Sequence, residues 1–219
     1  RRRVPREGGI RVGGGLVFHR HEQDAIDYAG VINRLGSPVF VKPANMGSSV
    51  GVSKASTADE FYAAADKAFE YDRKILVEEM LVGRELECAV MGNATPETTS
   101  VGEVGMAQGF YDYDSKYISE DAAKITIPAE GLSPATHAKL LLVARQAYQV
   151  CGCEGLTRVD MFLCEDEEVY VNELNTLPGF TNISMYPKLW EHAGTGYSDL
   201  IDHLIDLALD RAAQVAGLR

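Results

Sequence analysis

An antiparallel hairpin near the C-terminal end constrains the fold of this chain most. Residues 156–163 and 169–175 are rich in β-branched, aromatic and aliphatic side chains, and the acidic segment 165–168 separates them. Two such runs joined by a short polar turn predict paired strands, with the turn centred between residues 166 and 167. The chain is therefore predicted to contain an antiparallel sheet with this hairpin in it.

The same hairpin predicts a cation site. Its register places Asp160 directly opposite Glu173, and alternation of side chains puts Arg158 and Asn175 on the same face. Two opposed carboxylates repel unless a cation lies between them, and hard oxygen donors suit magnesium. The alternative is a solvated acidic face. The turn at 176–180 favours the metal site, because it can bring backbone amides near the same position.

A second candidate site lies upstream, around Lys42 at the end of a predicted strand. Gly47 and Gly51 let the following loop approach a ligand closely, and Ser48 and Ser49 add hydroxyls and amides that suit phosphate oxygens. The segment matches neither the Walker loop nor the dinucleotide-binding fingerprint. A flexible turn is the alternative interpretation of the loop taken alone.

A third segment predicts contacts to a nucleotide base and sugar. Residues 75–81 are predicted to form a buried strand that leaves through a turn at Gly83. Glu78, Glu79 and Glu85 stand at or beyond the end of that strand, where carboxylates can accept hydrogen bonds from ribose hydroxyls or an amino group. An exposed acidic linker is the alternative here.

In this order, the three segments resemble the ATP-grasp superfamily and, within it, the D-alanine:D-alanine ligases. The resemblance covers about residues 36–216. It rests on Val41-Lys42-Pro43, Gly47 to Gly51, Glu78 to Leu81 with Gly83 and Glu85, Arg158-Val159-Asp160, Asn172 to Thr181, and Ser184 to Pro187. It implies an α+β ATP-grasp fold with two lobes, each a mostly antiparallel sheet with packed helices, and with ATP between them.

The expected organisation has three parts. Residues 1–20 match the family poorly and are expected to be a divergent or disordered N-terminal arm. Residues 21–84 would form the small central lobe, and residues 85–219 the C-terminal lobe with a mobile ω-loop at about 106–124. Apolar spacing and capping residues predict helices at 22–35, 58–71, 134–150 and 197–213.

The resemblance implies that ATP phosphorylates the carboxylate of one D-alanine and that the amine of a second D-alanine attacks the acyl phosphate. The dipeptide would serve peptidoglycan precursor synthesis. Lys42 would hold the ATP phosphates and Glu85 the ribose, while Glu78, Glu79 and the Leu81 backbone would border the adenine. Residues assigned to ATP are Lys42, Ser49, Glu78, Glu79, Leu81, Glu85 and Lys116.

The remaining roles also follow from the resemblance. Asp160, Glu173 and Asn175 would bind two Mg²⁺ ions, with Mn²⁺ as an alternative and Glu173 as the bridge. Arg158 would stabilise the oxyanion formed in acyl transfer. The second D-alanine would be held by Gly179, Ser184 and Met185, with its carboxylate on the Ser184 hydroxyl. Ser48 and Tyr117 would join a hydrogen-bonded network that closes the site, which makes Ser48, Tyr117, Arg158 and Ser184 the candidate catalytic residues.

Substrate choice is predicted from Lys116 and Tyr117. Relatives that make D-alanyl-D-lactate lack this pair, so its presence favours an amine nucleophile over a hydroxy acid. A D-alanine:D-serine or D-alanine:D-lactate ligase is the alternative enzyme. Because the family's N-terminal motifs are absent from the chain, a third alternative is an ATP-binding fragment that is catalytically incomplete.

Composition excludes several classes of partner. The formal net charge of −11 disfavours nucleic acid and anionic membranes. No apolar run of membrane-spanning length and no signal-peptide pattern is present. Cys88, Cys151, Cys153 and Cys164 lack zinc-site spacing and are expected to be reduced. We therefore expect a cytoplasmic enzyme that uses ATP and D-alanine and, by resemblance, forms a homodimer in its full-length form.

Overall fold

The chain forms two compact units. The computed structural model describes residues 8–47, 49–105 and 124–218. One unit contains residues 13–81, and the other contains residues 8–12, 82–105 and 125–218. Each unit has its own sheet and its own core. Among the helices that the structure describes, none has the length and hydropathy needed to cross a lipid bilayer.

The smaller unit is a four-stranded antiparallel sheet covered by helices. The strand order is β1-β4-β2-β3. Its elements are Gly15–His19 (β1), a 3₁₀ helix at Arg20–Ala25, Tyr28–Leu35 (α1), Val39–Pro43 (β2), Ser53–Ala55 (β3), Ala58–Tyr71 (α2) and Lys74–Glu79 (β4). Alternate residues of β2 and β4, among them Val41 and Val77, pack against Phe61 and Phe69 of α2. This core holds β2, which carries Lys42, against β4, which carries Glu78.

Helix α2 begins and ends at the predicted residues. The Thr57 side chain caps its N-terminus by accepting a hydrogen bond from the Glu60 amide at 3.3 Å. The Glu60 carboxylate in turn accepts one from the Ser56 amide at 2.7 Å. The capping box therefore reaches one residue further back than Thr57, and it satisfies two amides at the helix start.

The predicted continuous helix over 22–35 is wrong in its first half. The structure has a 3₁₀ helix at Arg20–Ala25 and a separate α1 that begins after Asp27. The Asp27 carboxylate accepts hydrogen bonds from the amides of Ala29 and Gly30, which starts a new helix at this residue. Asp27 favours a cap over a helix interior, and the apolar spacing alone did not reveal that competition.

Residues 1–20 were predicted to form an arm. In the structure, Gly15–His19 of this region form strand β1. Strand β1 pairs with β4, and its Leu16 and Phe18 pack against the core of the smaller unit. In the larger unit, Val12 forms an isolated parallel bridge with Val171, whose amide donates to the Arg11 carbonyl at 2.9 Å. The alternation of apolar residues is short here and lies among glycines and charged residues, so the sequence did not predict a strand at these positions.

The larger unit is a five-stranded sheet with helices on both faces. The strand order is β7-β6-β5-β8-β9. Its elements are Gly83–Gly92 (β5), Glu97–Gly105 (β6), Lys124–Thr126 (β7), Pro134–Val150 (α3), Gly155–Cys164 (β8), Val169–Asn175 (β9), Met185–His192 (α4) and Tyr197–Ala216 (α5). Leu86 and Val159 face a core with Leu140 of α3, while Ala89 faces a second core with Leu189 of α4.

Helix α3 also has the predicted boundaries. Ser133 caps it by accepting a hydrogen bond from the Thr136 amide at 3.1 Å, and proline occupies its first position. At its C-terminus, Gly152 adopts a φ of 64°, and the amides of Gly152 and Cys153 donate to the carbonyls of Gln149 and Tyr148. These two bonds form a Schellman motif, which satisfies the last carbonyls of the helix and returns the chain into β8.

Candidate active site

The predicted opposition of Asp160 and Glu173 is confirmed. The register of β8 and β9 pairs Asp160 with Glu173 and Arg158 with Asn175. The turn was predicted to be centred between residues 166 and 167. In the structure Leu163 pairs with Val169, which centres the turn on Asp166. A register shift between Asp160 and Met161 inserts one extra residue in β9 and restores the predicted pairing.

Four predicted site residues form one hydrogen-bonded network. Arg158 donates from Nε and Nη2 to the two oxygens of Asp160, each at 2.7 Å. Asn175 Nδ2 donates to Asp160 Oδ2 at 2.9 Å and lies 3.4 Å from Glu173 Oε1. Asp160 is only 3% exposed, whereas Glu173 is exposed. The hairpin therefore presents one buried and one accessible carboxylate on the same face.

Sequence analysis missed a further charged residue beside this network, Glu87. Strand β5 pairs with β8 so that Glu87 lies directly opposite Asp160. Its Oε2 forms an ion pair with Arg158 Nε at 3.1 Å, and the residue is 7% exposed. The two-residue spacing from Glu85 signals that both glutamates share a face of β5. The pairing of β5 with β8, which brings Glu87 to Asp160, has no local signal.

The electrostatics of this face are negative. Burial opposes the charge of Arg158, but the hydrogen bonds to Asp160 and the charges of Asp160, Glu87 and Glu173 outweigh it and raise the pKa of the guanidinium. Three carboxylates and one guanidinium leave two formal negative charges. Arg158 is therefore fixed in its charged form and only partly neutralises the cluster.

The donor set fits a hard divalent cation. Asp160 and Glu173 supply carboxylate oxygens and Asn175 an amide oxygen, which are the ligand types that magnesium prefers. Within the described part of the chain, no group of three or more His, Cys, Asp or Glu side chains is arranged to hold a metal. The hairpin therefore supplies a partial ligand set, and further oxygen ligands would come from water or substrate.

The glycine-serine loop of the smaller unit consists of two overlapping turns. The Val50 amide donates to the Gly47 carbonyl at 3.1 Å, and the Val52 amide donates to the Ser49 carbonyl at 3.2 Å. Ser49 has a φ of 61°, which is uncommon for a residue other than glycine, and Gly51 has a φ of 71°. Such a left-handed conformation costs free energy and is often found at ligand-binding loops.

The loop is anchored at its base by Asp72, which sequence analysis did not single out. Asp72 Oδ2 accepts hydrogen bonds from Asn45, at 2.9 Å from its amide and at 2.8 Å from its side chain. The Lys74 amide donates to Oδ1 at 3.2 Å. Slight burial raises the pKa of the Asp72 carboxyl, but the hydrogen bonds from Lys74, Asn45 and Arg73 outweigh it, so that the pKa lies below the ordinary value.

Lys42 and Glu78, which were both assigned to ATP, form an ion pair in the structure. Lys42 Nζ lies 2.7 Å from Glu78 Oε2, and both side chains are mostly buried. Glu79, the next residue of β4, projects from the opposite face of the strand. Its carboxylate accepts a hydrogen bond from the Gly14 amide.

The structure therefore brings Lys42 and Glu78 together but directs Glu79 away from them. Leu81 lies in the link between β4 and β5, and Glu85 lies in β5 of the larger unit, opposite Phe162 of β8. Lys42, Glu78 and Ser49 thus lie in the smaller unit, and Glu85 lies on the same strand face as Glu87.

The predicted D-alanine residues lie at the start of α4. Ser184 is its N-cap residue, and Ser184 Oγ accepts a hydrogen bond from the Thr181 amide at 3.1 Å. A Cβ atom on Gly179 would lie 3.0 Å from Ser184 Oγ, so these two predicted residues are close neighbours. The Met185 side chain is 4% exposed and packs in the core, which leaves its backbone amide, at the helix N-terminus, for a ligand.

Three candidates lie outside the described residues. These are Ser48 of the glycine-serine loop and Lys116 and Tyr117 of the predicted ω-loop. Their roles stay predictions.

Two antiparallel sheets with separate cores and packed helices define the α+β ATP-grasp class, as predicted. The family model described as D-ala D-ala ligase C-terminus matches residues 6–206, and the chain belongs to this family. The match begins well before residue 36, so the likeness extends into the N-terminal residues that sequence analysis left outside it.

Individual relatives agree with this family. The D-alanine–D-alanine ligase A of Escherichia coli is 50% identical over 218 residues, which are 100% of this chain and 60% of that protein. A solved D-alanine-D-alanine ligase from Coxiella burnetii has a TM-score of 0.83 at 35% identity, over 98% of this chain and 57% of its own. The VanG D-Ala:D-Ser ligase from Enterococcus faecalis has a TM-score of 0.84 at 35% identity, over 94% and 59%. The chain thus spans about 60% of the length of its curated relative.

Proposed function

We propose that this chain carries the ATP- and acceptor-binding part of an ATP-dependent D-alanine:D-alanine ligase that serves peptidoglycan precursor synthesis. The observation that carries the proposal is the face of the β8–β9 hairpin, where Arg158, Asp160, Glu173 and Asn175 form one network. A guanidinium beside carboxylate and amide oxygens suits a reaction that develops negative charge on phosphate and carbonyl oxygens.

On the nucleotide side, Lys42 would bind the phosphates of ATP together with the amides of the loop at Ser49 and Gly51. Its present partner, Glu78, holds the ammonium group in position at 2.7 Å. Ser48 and Lys116 would add phosphate contacts. Glu85 would accept a hydrogen bond from the ribose, and Glu78, Glu79 and the Leu81 backbone would border the adenine.

A divalent metal would be held by Asp160, Glu173 and Asn175. Two Mg²⁺ ions, or Mn²⁺ in their place, would neutralise the charge of the phosphates when bound. In the structure, both Asp160 oxygens accept hydrogen bonds from Arg158.

For peptide-bond formation, one D-alanine carboxylate would be phosphorylated by ATP to an acyl phosphate, with release of ADP. The amine of the second D-alanine would then attack, and phosphate would leave. Arg158 would stabilise the oxyanion of this step. Ser184, Gly179 and the amide of Met185 would hold the carboxylate of the second D-alanine at the N-terminus of α4, where backbone amides favour an anion. Tyr117 and Ser48 would close the site.

The experiment that tests the proposal supplies the purified chain with ATP, Mg²⁺ and D-alanine and measures D-alanyl-D-alanine together with phosphate release. D-serine and D-lactate are supplied in parallel as second substrates. We expect the D-alanine dipeptide to be the main product.

An excess of the mixed D-alanyl-D-serine product would favour the D-serine alternative. The structural similarity to the VanG D-Ala:D-Ser ligase is the reason for testing D-serine. A depsipeptide with D-lactate would contradict the assignment of an amine nucleophile. Nucleotide binding without any product would favour the catalytically incomplete fragment. We further propose a cytoplasmic location, which suits an ATP-consuming reaction and four free cysteines, and a homodimer for the full-length form.

A further inference from the structure

Glu87 is buried against the candidate active site, and none of the proposed steps uses it. The register places it opposite Asp160 of β8, whose other cross-strand neighbour is Glu173 of β9. It is 7% exposed. A buried carboxylate is costly unless a cation accompanies it, and the cation here is Arg158, with Nε 3.1 Å from Glu87 Oε2.

Arg158 is therefore shared by two carboxylates in unequal parts. Asp160 accepts both hydrogen bonds of the bidentate pair at 2.7 Å, whereas Glu87 Oε2 lies 3.1 Å from Nε. A metal ion bound by Asp160 would compete with Arg158 for these same oxygens. The guanidinium then needs another anion if it is to stay on this face of the sheet.

We propose that Glu87 is a positioning residue that retains the Arg158 guanidinium at the site when a divalent cation takes the oxygens of Asp160. This inference rests on the proposed function of Asp160 as a metal ligand. Glu87 would lower the free energy needed to separate Arg158 from Asp160, because the guanidinium keeps one buried ion pair throughout. With glutamine at this position, Arg158 would depend more strongly on Asp160 and would oppose the metal.

The test measures Mn²⁺ binding to the 219-residue chain by electron paramagnetic resonance, without nucleotide. The variants are Glu87→Gln and the control Glu103→Gln. Glu103 also pairs with an arginine, Arg84, at 2.8 and 2.6 Å, but it lies opposite Leu86, whose side chain faces the α3 core rather than the site. We expect Glu87→Gln to weaken Mn²⁺ binding about tenfold, a change typical of residues that support metal ligands, and Glu103→Gln to leave it unchanged.

A second measurement separates positioning from simple charge. In an Arg158→Met background, Glu87→Gln should have no further effect on Mn²⁺ binding, since there is no guanidinium left to retain. An undiminished effect in that background would overturn the inference and make Glu87 a direct contributor to the metal. If Arg158→Met does not fold, the ¹⁵Nε resonance of Arg158 in the parent provides the readout. We expect it to stay sharp at saturating Mg²⁺ and to broaden in Glu87→Gln; equal behaviour in both proteins would contradict the inference.

The outcomes also separate this inference from the proposed function. Normal Mn²⁺ binding by the parent and by Glu87→Gln would overturn the role of Glu87 and leave the metal site intact. If the parent binds no Mn²⁺ alone, and none beyond that held by the free nucleotide when an ATP analogue is added, the metal site itself is refuted and the inference fails with it.

Discussion

At the scale of single residues, the two opposed carboxylates of the hairpin have unlike surroundings. Asp160 is buried and accepts from Arg158 and Asn175, so its removal would disturb both the fold and the site. Glu173 is exposed, and its contact with Asn175 is long, at 3.4 Å. Glu173 is therefore the residue at which function and stability can be separated by substitution.

Under the proposed function, we expect Glu173→Gln to reduce dipeptide formation by at least about 100-fold, since even the loss of residues that only support a metal ligand often costs 10- to 100-fold. Its free energy of unfolding should change by less than about 0.5 kcal/mol, as is usual for an exposed residue. Product assays and urea denaturation check the two expectations. Glu165→Gln, exposed at the turn of the same hairpin, is the matched control and should keep activity. Equal losses in both variants would contradict the role of Glu173.

Asp72 predicts a pH dependence of stability. Its pKa is lower in the folded chain than in the unfolded chain, so its stabilising effect is complete above the unfolded pKa of about 3.9 and disappears as the pH falls through the folded value. Asp72→Asn should therefore be less stable than the parent at pH 7, and the difference should shrink below about pH 4. Urea denaturation between pH 7 and pH 3 measures this. A difference that does not depend on pH would refute the assignment, and Asp202→Asn on the exposed side of α5 serves as the control.

Among single residues, the hairpin members were predictable and Glu87 was not. Arg158, Asp160, Glu173 and Asn175 lie on two strands joined by a short turn, so spacing alone relates them. Glu87 reaches Asp160 through the pairing of β5 with β8, which are far apart in sequence. The same limit applies to Asp72, whose partner Asn45 precedes it by a whole helix.

At the scale of elements, boundaries set by local chemistry were predicted well. Helices α2 and α3 begin at Thr57 and Ser133 caps, as their sequences indicate. The opposition within the β8–β9 hairpin was also predicted, but the bulge beside Asp160 was not, because a bulge depends on how two strands fit together. The prediction misplaced the turn and omitted the bulge, but these two errors shift the register in opposite directions. Asp160 therefore still lies opposite Glu173.

The close approach of β5 to the neighbouring strand β8 leads to a prediction about Gly83. A Cβ atom there would overlap the carbonyl oxygen of Leu163 in the neighbouring strand. We expect Gly83→Ala to destabilise the chain by about 2 kcal/mol, because backbone must move to relieve the overlap. In Gly47→Ala, where a Cβ would meet no atom of the described residues within 4 Å, stability should stay within about 0.5 kcal/mol. Chemical denaturation compares the two, and an equal effect would show that the close approach at Gly83 is unimportant.

At the scale of the whole molecule, the chain has two units with separate sets of core residues. Phe61 and Val77 belong to the core of residues 13–81, and Leu86 and Leu140 to a core of the other unit. The two-lobed α+β fold was predicted from the order of motifs. The position of residues 8–19 was not predicted, because their few apolar residues are recognisable as strand residues only through their pairing with β4 and β9.

Separate cores predict a localised response to a core substitution. Phe61→Ala removes a fully buried ring and should cost about 3–5 kcal/mol. Hydrogen exchange followed by mass spectrometry should then report the largest loss of protection within residues 13–81. Leu140→Ala is the matched variant in the other unit and should shift the loss to 82–105 and 125–218. The same pattern of lost protection in both variants would mean that the chain unfolds as one cooperative body.

The bridge between Val12 and Val171 has a consequence for behaviour in concentrated solution. Strand β9 is the last strand of its sheet, and an uncovered last strand is a template onto which another molecule can add a strand of its own. The short segment at Arg11 and Val12 occupies hydrogen-bonding positions of β9 at Val171. These residues cover part of the β9 edge, and we expect that trimming them for crystallisation or expression would favour self-association through it.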